Sequence, residues 1–122
     1  MKVPAFLLKR LFVKGSLRNT SGGFEFKLKN QLGSGYAYGL LPLIVDGEEV
    51  PADRSTFSIN GKTMTFTEVS KESPASLAMN KEATIAVEGQ TLAPGAHKVK
   101  MGFIVTGLGE LRFDLVDNVV DG

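Results

Sequence analysis

The sequence predicts an all-β protein, an antiparallel β-sandwich of about eight or nine short strands. Three observations predict it. Apolar residues recur at every second position in several segments. Turn residues separate these segments at the intervals of about 8–12 residues that are typical of sandwiches and flattened barrels. No window keeps the 3.6-residue period of a helix, and no linker interrupts residues 1–122, so we predict one domain.

The strands are predicted in order from alternation. Residues 24–29 alternate phenylalanine or leucine with glutamate or lysine, which gives one apolar and one charged face. The same alternation covers residues 83–87, 98–105 and 111–115. Strands of this kind are typical of antiparallel sheets that bury one face and expose the other to water.

Dipeptides that favour tight turns connect these strands. Asn60-Gly61 is the strongest hairpin signal, because both central residues of a type I′ turn need a positive φ. The register counted from this turn puts the apolar residues of both strands on one face. It pairs Ile59 with Lys62, Phe57 with Met64, and Ser55 with Phe66. Asp46-Gly47 predicts a second hairpin, and Pro94-Gly95 a type II turn.

Two segments are less regular. The apolar run at residues 3–8 is cut by Lys9-Arg10 and lacks a cleavage site, so we predict a first strand or a packed arm and no signal peptide. Residues 74–81 are the best helical candidate, of a turn or two at most. No segment approaches the roughly 18 apolar residues that span a bilayer.

Composition excludes several classes of function. The 122 residues include 14 basic and 13 acidic side chains, so no electrostatic case exists for nucleic acid or an anionic membrane as the main partner. Cysteine is absent and histidine occurs once, which leaves no thiolate zinc site and no multi-histidine metal centre. The lack of cysteine fits a cytoplasmic location.

A search for catalytic groups finds no complete active site. His97, the single imidazole, follows the Pro94-Gly95 turn, where we expect a rim residue that is partly buried and hydrogen-bonded. The carboxylates near residues 46–49 and 114–121 lack the spacing of a calcium cage and are interpreted as solvated turn and strand charges. We therefore assign no catalytic, cofactor-binding or metal-binding residue to this chain.

Two tyrosines remain of interest. Tyr36 and Tyr38 flank Ala37 and are bracketed by glycines, and we place them on the edge of a sheet. Aromatic side chains in such a place can stack on a sugar or dock into a partner subunit. The other interpretation is cross-strand packing within a sheet.

Several segments together resemble one known family. They are Gly15-Ser16-Leu17-Arg18-Asn19-Thr20, Gly23-Phe24-Glu25-Phe26-Lys27-Leu28-Lys29-Asn30, Leu32-Gly33, Val45-Asp46-Gly47-Glu48-Glu49-Val50-Pro51, Leu92-Ala93-Pro94-Gly95-Ala96-His97-Lys98-Val99 and Gly109-Glu110-Leu111-Arg112-Phe113-Asp114. The chain resembles the β subunit of bacterial C-glycoside deglycosidases from about residue 11 to residue 117. The opening segment is fairly specific, whereas many β-sandwiches have a proline-glycine turn and similar closing strands.

The resemblance implies a small subunit that works in a heteromer. Its partner would be a TIM-barrel α subunit, similar to sugar isomerases, with a divalent metal of the manganese type and a histidine base. The pair would act as a carbon–carbon lyase on the 3-keto form of a flavonoid-type C-glycoside. A base would remove the C2 proton that the ketone acidifies, and elimination would expel the aromatic carbon from C1.

We predict that this chain itself is not catalytic and that it shapes or stabilises the active site of the α subunit. The predicted interface residues are Arg18, Asn19, Tyr36 and Tyr38, because aromatic and arginine anchors dominate such interfaces. The alternatives are a stand-alone carbohydrate-binding or adhesion module and a structural domain without a small-molecule ligand.

Overall fold

Two antiparallel sheets face each other in a computed structural model that describes residues 4–33 and 35–121. Among these residues are one short α-helix, three 3-10 turns and twelve strands. The helix α1 is Ala5–Leu8, and the 3-10 turns are Lys9–Leu11, Ala52–Arg54 and Phe66–Glu68. The strands are β1 Arg18–Asn19, β2 Gly23–Lys29, β3 Gly35–Leu40, β4 Ile44–Val45, β5 Glu48–Glu49, β6 Ser55–Ile59, β7 Lys62–Thr65, β8 Ala75–Leu77, β9 Glu82–Glu88, β10 Ala96–Val105, β11 Gly109–Asn118 and β12 Val120–Asp121.

The first sheet, sheet A, has the strand order β12-β1-β2-β9-β6-β7. In the second, sheet B, β10 is the central strand. One edge of β10 pairs with β11, and its other edge pairs with β4 and then β3, which are flanked by β5 and β8. The chain passes from β11 in sheet B to β12 in sheet A, where β12 pairs with β1 in parallel. The fold class is therefore the all-β sandwich that the alternation predicts.

The core lies between the sheets and is made by the apolar positions of the alternating strands. Phe24, Phe26 and Ile85 of sheet A are fully buried, as is Val99 of sheet B. Phe26 also meets Phe12 edge to face, with ring centroids 6.1 Å apart. Because successive side chains of a strand point to opposite faces, the charged residues between these positions are left on the outer faces.

The predicted turns form at the expected places. Asn60 and Gly61 both have positive φ, and Ile59 pairs with Lys62 and Phe57 with Met64, as the register requires. Asp46-Gly47 likewise connects β4 to β5. The predicted pairing of Ser55 with Phe66 is wrong, because β7 ends at Thr65. Ser55 pairs instead with Val87 of β9, on the other side of β6.

Other details differ from the sequence-based expectations. The described residues form twelve strands where eight or nine were expected, because four strands of two residues are too short to show alternation. Residues 75–77 form strand β8, not a helical turn, since pairing with β3 outweighs the weak local preference.

The N-terminal segment is a packed arm and not a strand. It forms α1 and the following 3-10 turn, and both contact β11. None of the helices in the described ranges is long and apolar enough to cross a membrane.

Candidate functional site

Arg18 and Asn19 lie side by side on β1 and have different environments. Arg18 is exposed, and its Nε lies 3.3 Å from the Glu25 carboxylate. The Asn19 side chain makes two hydrogen bonds of 2.8 Å to the backbone of Leu92: its amide nitrogen donates to the carbonyl, and its oxygen accepts from the N–H. Asn19 therefore attaches the segment before β10 to β1. Arg18 exposes its guanidinium group at the surface.

Tyr36 and Tyr38 lie on β3, which is not at the sheet edge as expected, because β8 pairs with it on one side and β10 on the other. Val105 pairs with Ala37 and Ile104 with Gly39, so Tyr38 is the extra residue of a β-bulge. Tyr36 is 60% exposed. Tyr38 is half-buried, and the Lys71 ammonium lies 5.5 Å from the centre of its ring.

The predicted interface residues thus form two pairs, one on each sheet. Arg18 and Asn19 belong to sheet A, and Tyr36 and Tyr38 belong to sheet B. Their role at an interface stays a prediction. The tyrosine segment, residues 33–39, also contains Ser34, which lies outside the described residues.

His97 is held at both ring nitrogens. Nδ1 lies 2.5 Å from Oδ2 of Asp46, and Nε2 lies 2.6 Å from the carbonyl oxygen of Ala93. Both partners are acceptors, so both bonds form at once only when the ring is the doubly protonated imidazolium. The hydrogen bond to Asp46, with that to Ala93, raises the pKa of His97 above its ordinary value.

Asp46 connects the tip of the β4–β5 hairpin to the start of β10. Its Oδ1 accepts from the Lys98 N–H at 2.9 Å, and its own N–H donates to the Lys98 carbonyl at 2.8 Å. The hydrogen bonds from His97 and Lys98 lower the pKa of Asp46. This arrangement favours a charged pair that fixes the hairpin, as expected for a hydrogen-bonded rim histidine.

The second acidic group is also tied to basic or backbone partners. Asp114 lies 3.3 Å from the ammonium groups of both Lys98 and Lys9, and these contacts lower its pKa. Asp117 accepts a 2.9 Å hydrogen bond from the Gly15 N–H. Within residues 4–33 and 35–121, no group of three or more acidic or histidine side chains is placed to hold a metal ion.

The structure shows a cavity that the sequence did not reveal. It has a volume of about 430 Å³, lies between the sheets at the end of the sandwich where β2 ends and β3 begins, and is open to solvent on one side. Leu28 and Phe57 of sheet A and Met101 of sheet B contribute to its walls, and α1 contributes Leu7 and Leu8. Alternation shows which residues face inward, but it does not show how closely two sheets approach at one end.

Two comparisons with known proteins show relationships to described families. Residues 7–120 match the family model described as hydroxymethylglutaryl-CoA reductase, N-terminal domain. A protein of Eubacterium cellulosolvens named C-glycoside deglycosidase beta subunit is 32% identical over 98 residues, which cover 75% of this chain and 67% of that relative. The chain belongs to the family of this C-glycoside deglycosidase β subunit, and over residues 7–120 to the family of the reductase-domain model.

Proposed function

We propose that this chain is the non-catalytic β subunit of a heteromeric C-glycoside deglycosidase. The observation that supports this most is the 32% identity to a protein named as such a β subunit, over 75% of the chain. The name implies a second subunit, and we propose that it is a TIM-barrel chain similar to sugar isomerases. We place the pair in the cytoplasm, in a higher-order heteromer.

The proposed reaction is elimination from a 3-keto-C-glycoside. The ketone acidifies the C2–H bond, and a base on the partner removes this proton. The electron pair of that bond forms the C1–C2 double bond, and the bond from C1 to the aromatic carbon breaks. That carbon accepts a proton, so the products are an unsaturated keto sugar and the free aglycone.

In the part of the chain that the structure describes, the acidic side chains do not fit the divalent metal of the resemblance. The candidate carboxylates of Asp46 and Asp114 are already bound by His97, Lys98 and Lys9. We therefore place the metal and the histidine base on the partner, and we assign the β subunit the task of shaping and stabilising that active site.

We place the interface on the outer surface around Tyr36 and Tyr38, with Arg18 as a further contact. A tyrosine that is 60% exposed on a paired strand offers a rigid anchor at low cost in side-chain entropy. Anchors of this type supply most of the binding energy at protein interfaces, and loss of one hot-spot residue costs about 2 kcal/mol or more.

The test is co-expression of this chain with a metal-bearing barrel subunit encoded beside it. We expect a stoichiometric complex that cleaves a 3-keto-C-glycoside only when both chains are present. Cleavage by the barrel alone at the same rate, or a chain that stays free at micromolar concentrations of the barrel, contradicts the proposal. A free chain that instead binds sugars identifies the stand-alone carbohydrate-binding module.

The interface is tested with Tyr36→Ala combined with Tyr38→Ala. We expect the affinity for the partner to fall at least roughly tenfold, with the fold kept, because neither ring belongs to the buried core. The matched control is Lys62→Ala with Thr63→Ala, two exposed positions of β7 in sheet A, which should bind normally. Equal affinity of both double variants would remove the tyrosine surface from the interface.

The second candidate is an accessory domain of a reductase that acts on hydroxymethylglutaryl-CoA. The match of residues 7–120 to the reductase-domain model favours it. The two candidates differ in partner, so the same purification distinguishes them. Association with a chain that reduces hydroxymethylglutaryl-CoA, and not with a barrel active on keto-glycosides, would favour the reductase domain.

A further inference from the structure

The cavity between the sheets has walls from every layer of the molecule. Sheet A contributes Leu28 and Phe57, sheet B contributes Met101 and Leu111, and the N-terminal arm contributes Leu8 and Leu11. Leu8, Leu28 and Met101 are each at most 3% exposed, so residues of the core form the floor of the cavity. Its volume of about 430 Å³ lies in the range of roughly 300–1,000 Å³ that is usual for ligand pockets.

Water is a poor occupant of this space. Protein interiors contain few voids larger than a water molecule, and an ordered water needs about two to four polar partners. Among the residues that the structure describes, the lining includes three polar side chains, those of Asn30, Tyr36 and Thr106. Tyr36 follows the alternation of β3 to the face opposite Ala37, and Thr106 is exposed, so among the described lining residues Asn30 is the buried polar side chain.

Asn30 has no bonding capacity left for a ligand or a water cluster. Its amide nitrogen donates to the carbonyls of Gly33 and Leu77. Its side-chain oxygen accepts from the N–H groups of Leu32 and Gly33 at 3.0 and 3.2 Å. These bonds close the end of β2 against β8 and leave the Asn30 side chain as a satisfied part of the wall.

Charge defines the occupant further. Among the described residues, no acidic or basic side chain lines the cavity, so an ion would be buried without a counter-ion at a large cost in solvation free energy. Leu32 and Leu108 line the cavity and are 40% and 37% exposed, which places them where it opens to solvent. An apolar molecule therefore meets apolar side chains from the opening to the interior.

We propose that this cavity is a binding site for a small, uncharged, apolar molecule, aromatic or aliphatic. A single side chain inserted from a partner would leave most of the space unfilled, whereas engineered apolar cavities of only about 150 Å³ already take up benzene. The cavity lies on the side of β3 that Ala37 faces and borders the tyrosine surface at Tyr36, but the proposal does not depend on the function proposed above.

The test uses the full chain and the neutral fluorescent probe N-phenyl-1-naphthylamine. We expect saturable binding with one site per chain and a blue-shifted emission. Ala37 lines the cavity, and Ala37→Leu adds three carbons there, so we expect at least tenfold weaker probe binding. Ala96→Leu makes the same change at an exposed position of β10 outside the cavity and should bind the probe like the native chain.

Leu77 on β8 also lines the cavity, so Leu77→Phe is a second variant that fills it. It replaces Ala37→Leu if circular dichroism shows that the Ala37→Leu chain does not fold. Native-like probe affinity in a folded filling variant would overturn the proposal, and so would the lack of saturable binding to the native chain. Stoichiometric release of the probe on addition of the barrel subunit would also overturn it, because a partner segment would then be the occupant.

Discussion

At the scale of single residues, His97 and Asp46 make stability depend on pH. The pKa of His97 is raised by its hydrogen bonds to Asp46 and Ala93, so its contribution is fully present below its ordinary value of 6.5. It is lost as the pH rises through the higher pKa of the folded state. The pKa of Asp46 is lowered, so its contribution is present above 3.8 and is lost as the pH falls through the lower folded value.

We predict that His97→Gln lowers the melting temperature most at pH values between the folded pKa of Asp46 and that of His97. Above the folded pKa of His97, the difference in melting temperature between the variant and the native chain should shrink. Thermal melts from pH 4 to pH 9 measure this difference. Glu49→Gln on the same hairpin is the control, since Glu49 is exposed and lies outside the His97 contacts. A deficit of His97→Gln that stays constant over the whole range would show that protonation plays no part.

At the scale of elements, the start of β2 depends on one glycine. A Cβ at Gly23 would overlap the carbonyl oxygen of Val87 on β9, whereas a Cβ at Gly22 meets nothing within 4 Å. We predict that Gly23→Ala lowers the free energy of unfolding by about 1–3 kcal/mol, the usual cost of overpacking. Gly22→Ala is the matched control, and urea denaturation compares the two. Equal stability of the variants would contradict the close approach of β2 and β9.

The sequence predicts a strand where the strand is long enough to show alternation or is joined by a recognisable turn. Alternation with period two is visible in the longer strands β2, β9, β10 and β11. The turns Asn60-Gly61 and Asp46-Gly47 determine the β6–β7 and β4–β5 hairpins, because their residues adopt positive φ. β8 and β12 are not recognised, because segments of three and two residues have no period and form through pairing with distant strands. The tyrosine segment is recognisable, but its position as an interior strand of sheet B depends on pairing with β8.

At the scale of the whole molecule, both sheets share one core, so we expect them to unfold together. The chain has two tyrosines and no tryptophan, so tyrosine fluorescence reports on β3 of sheet B, while circular dichroism reports on all strands. We predict coincident urea transitions with an m-value of roughly 1–3 kcal/mol/M.

A substitution in sheet A sharpens this test. Phe24 is fully buried on β2, and Phe24→Ala should cost about 3–5 kcal/mol. Because the core is continuous, we expect the tyrosine transition of sheet B to shift as far as the circular dichroism transition. A shift in circular dichroism without a shift in tyrosine fluorescence would show that the sheets unfold separately.

The position of the N-terminal arm has a consequence for self-association. In the described ranges β11 pairs only with β10, so its ten residues leave one side of backbone groups able to extend the sheet with a second molecule. The arm contacts this strand, and Lys9 is bound to Asp114 in its middle. We infer that the arm hinders the addition of a second molecule at this edge, and we expect detachment of the arm to increase aggregation.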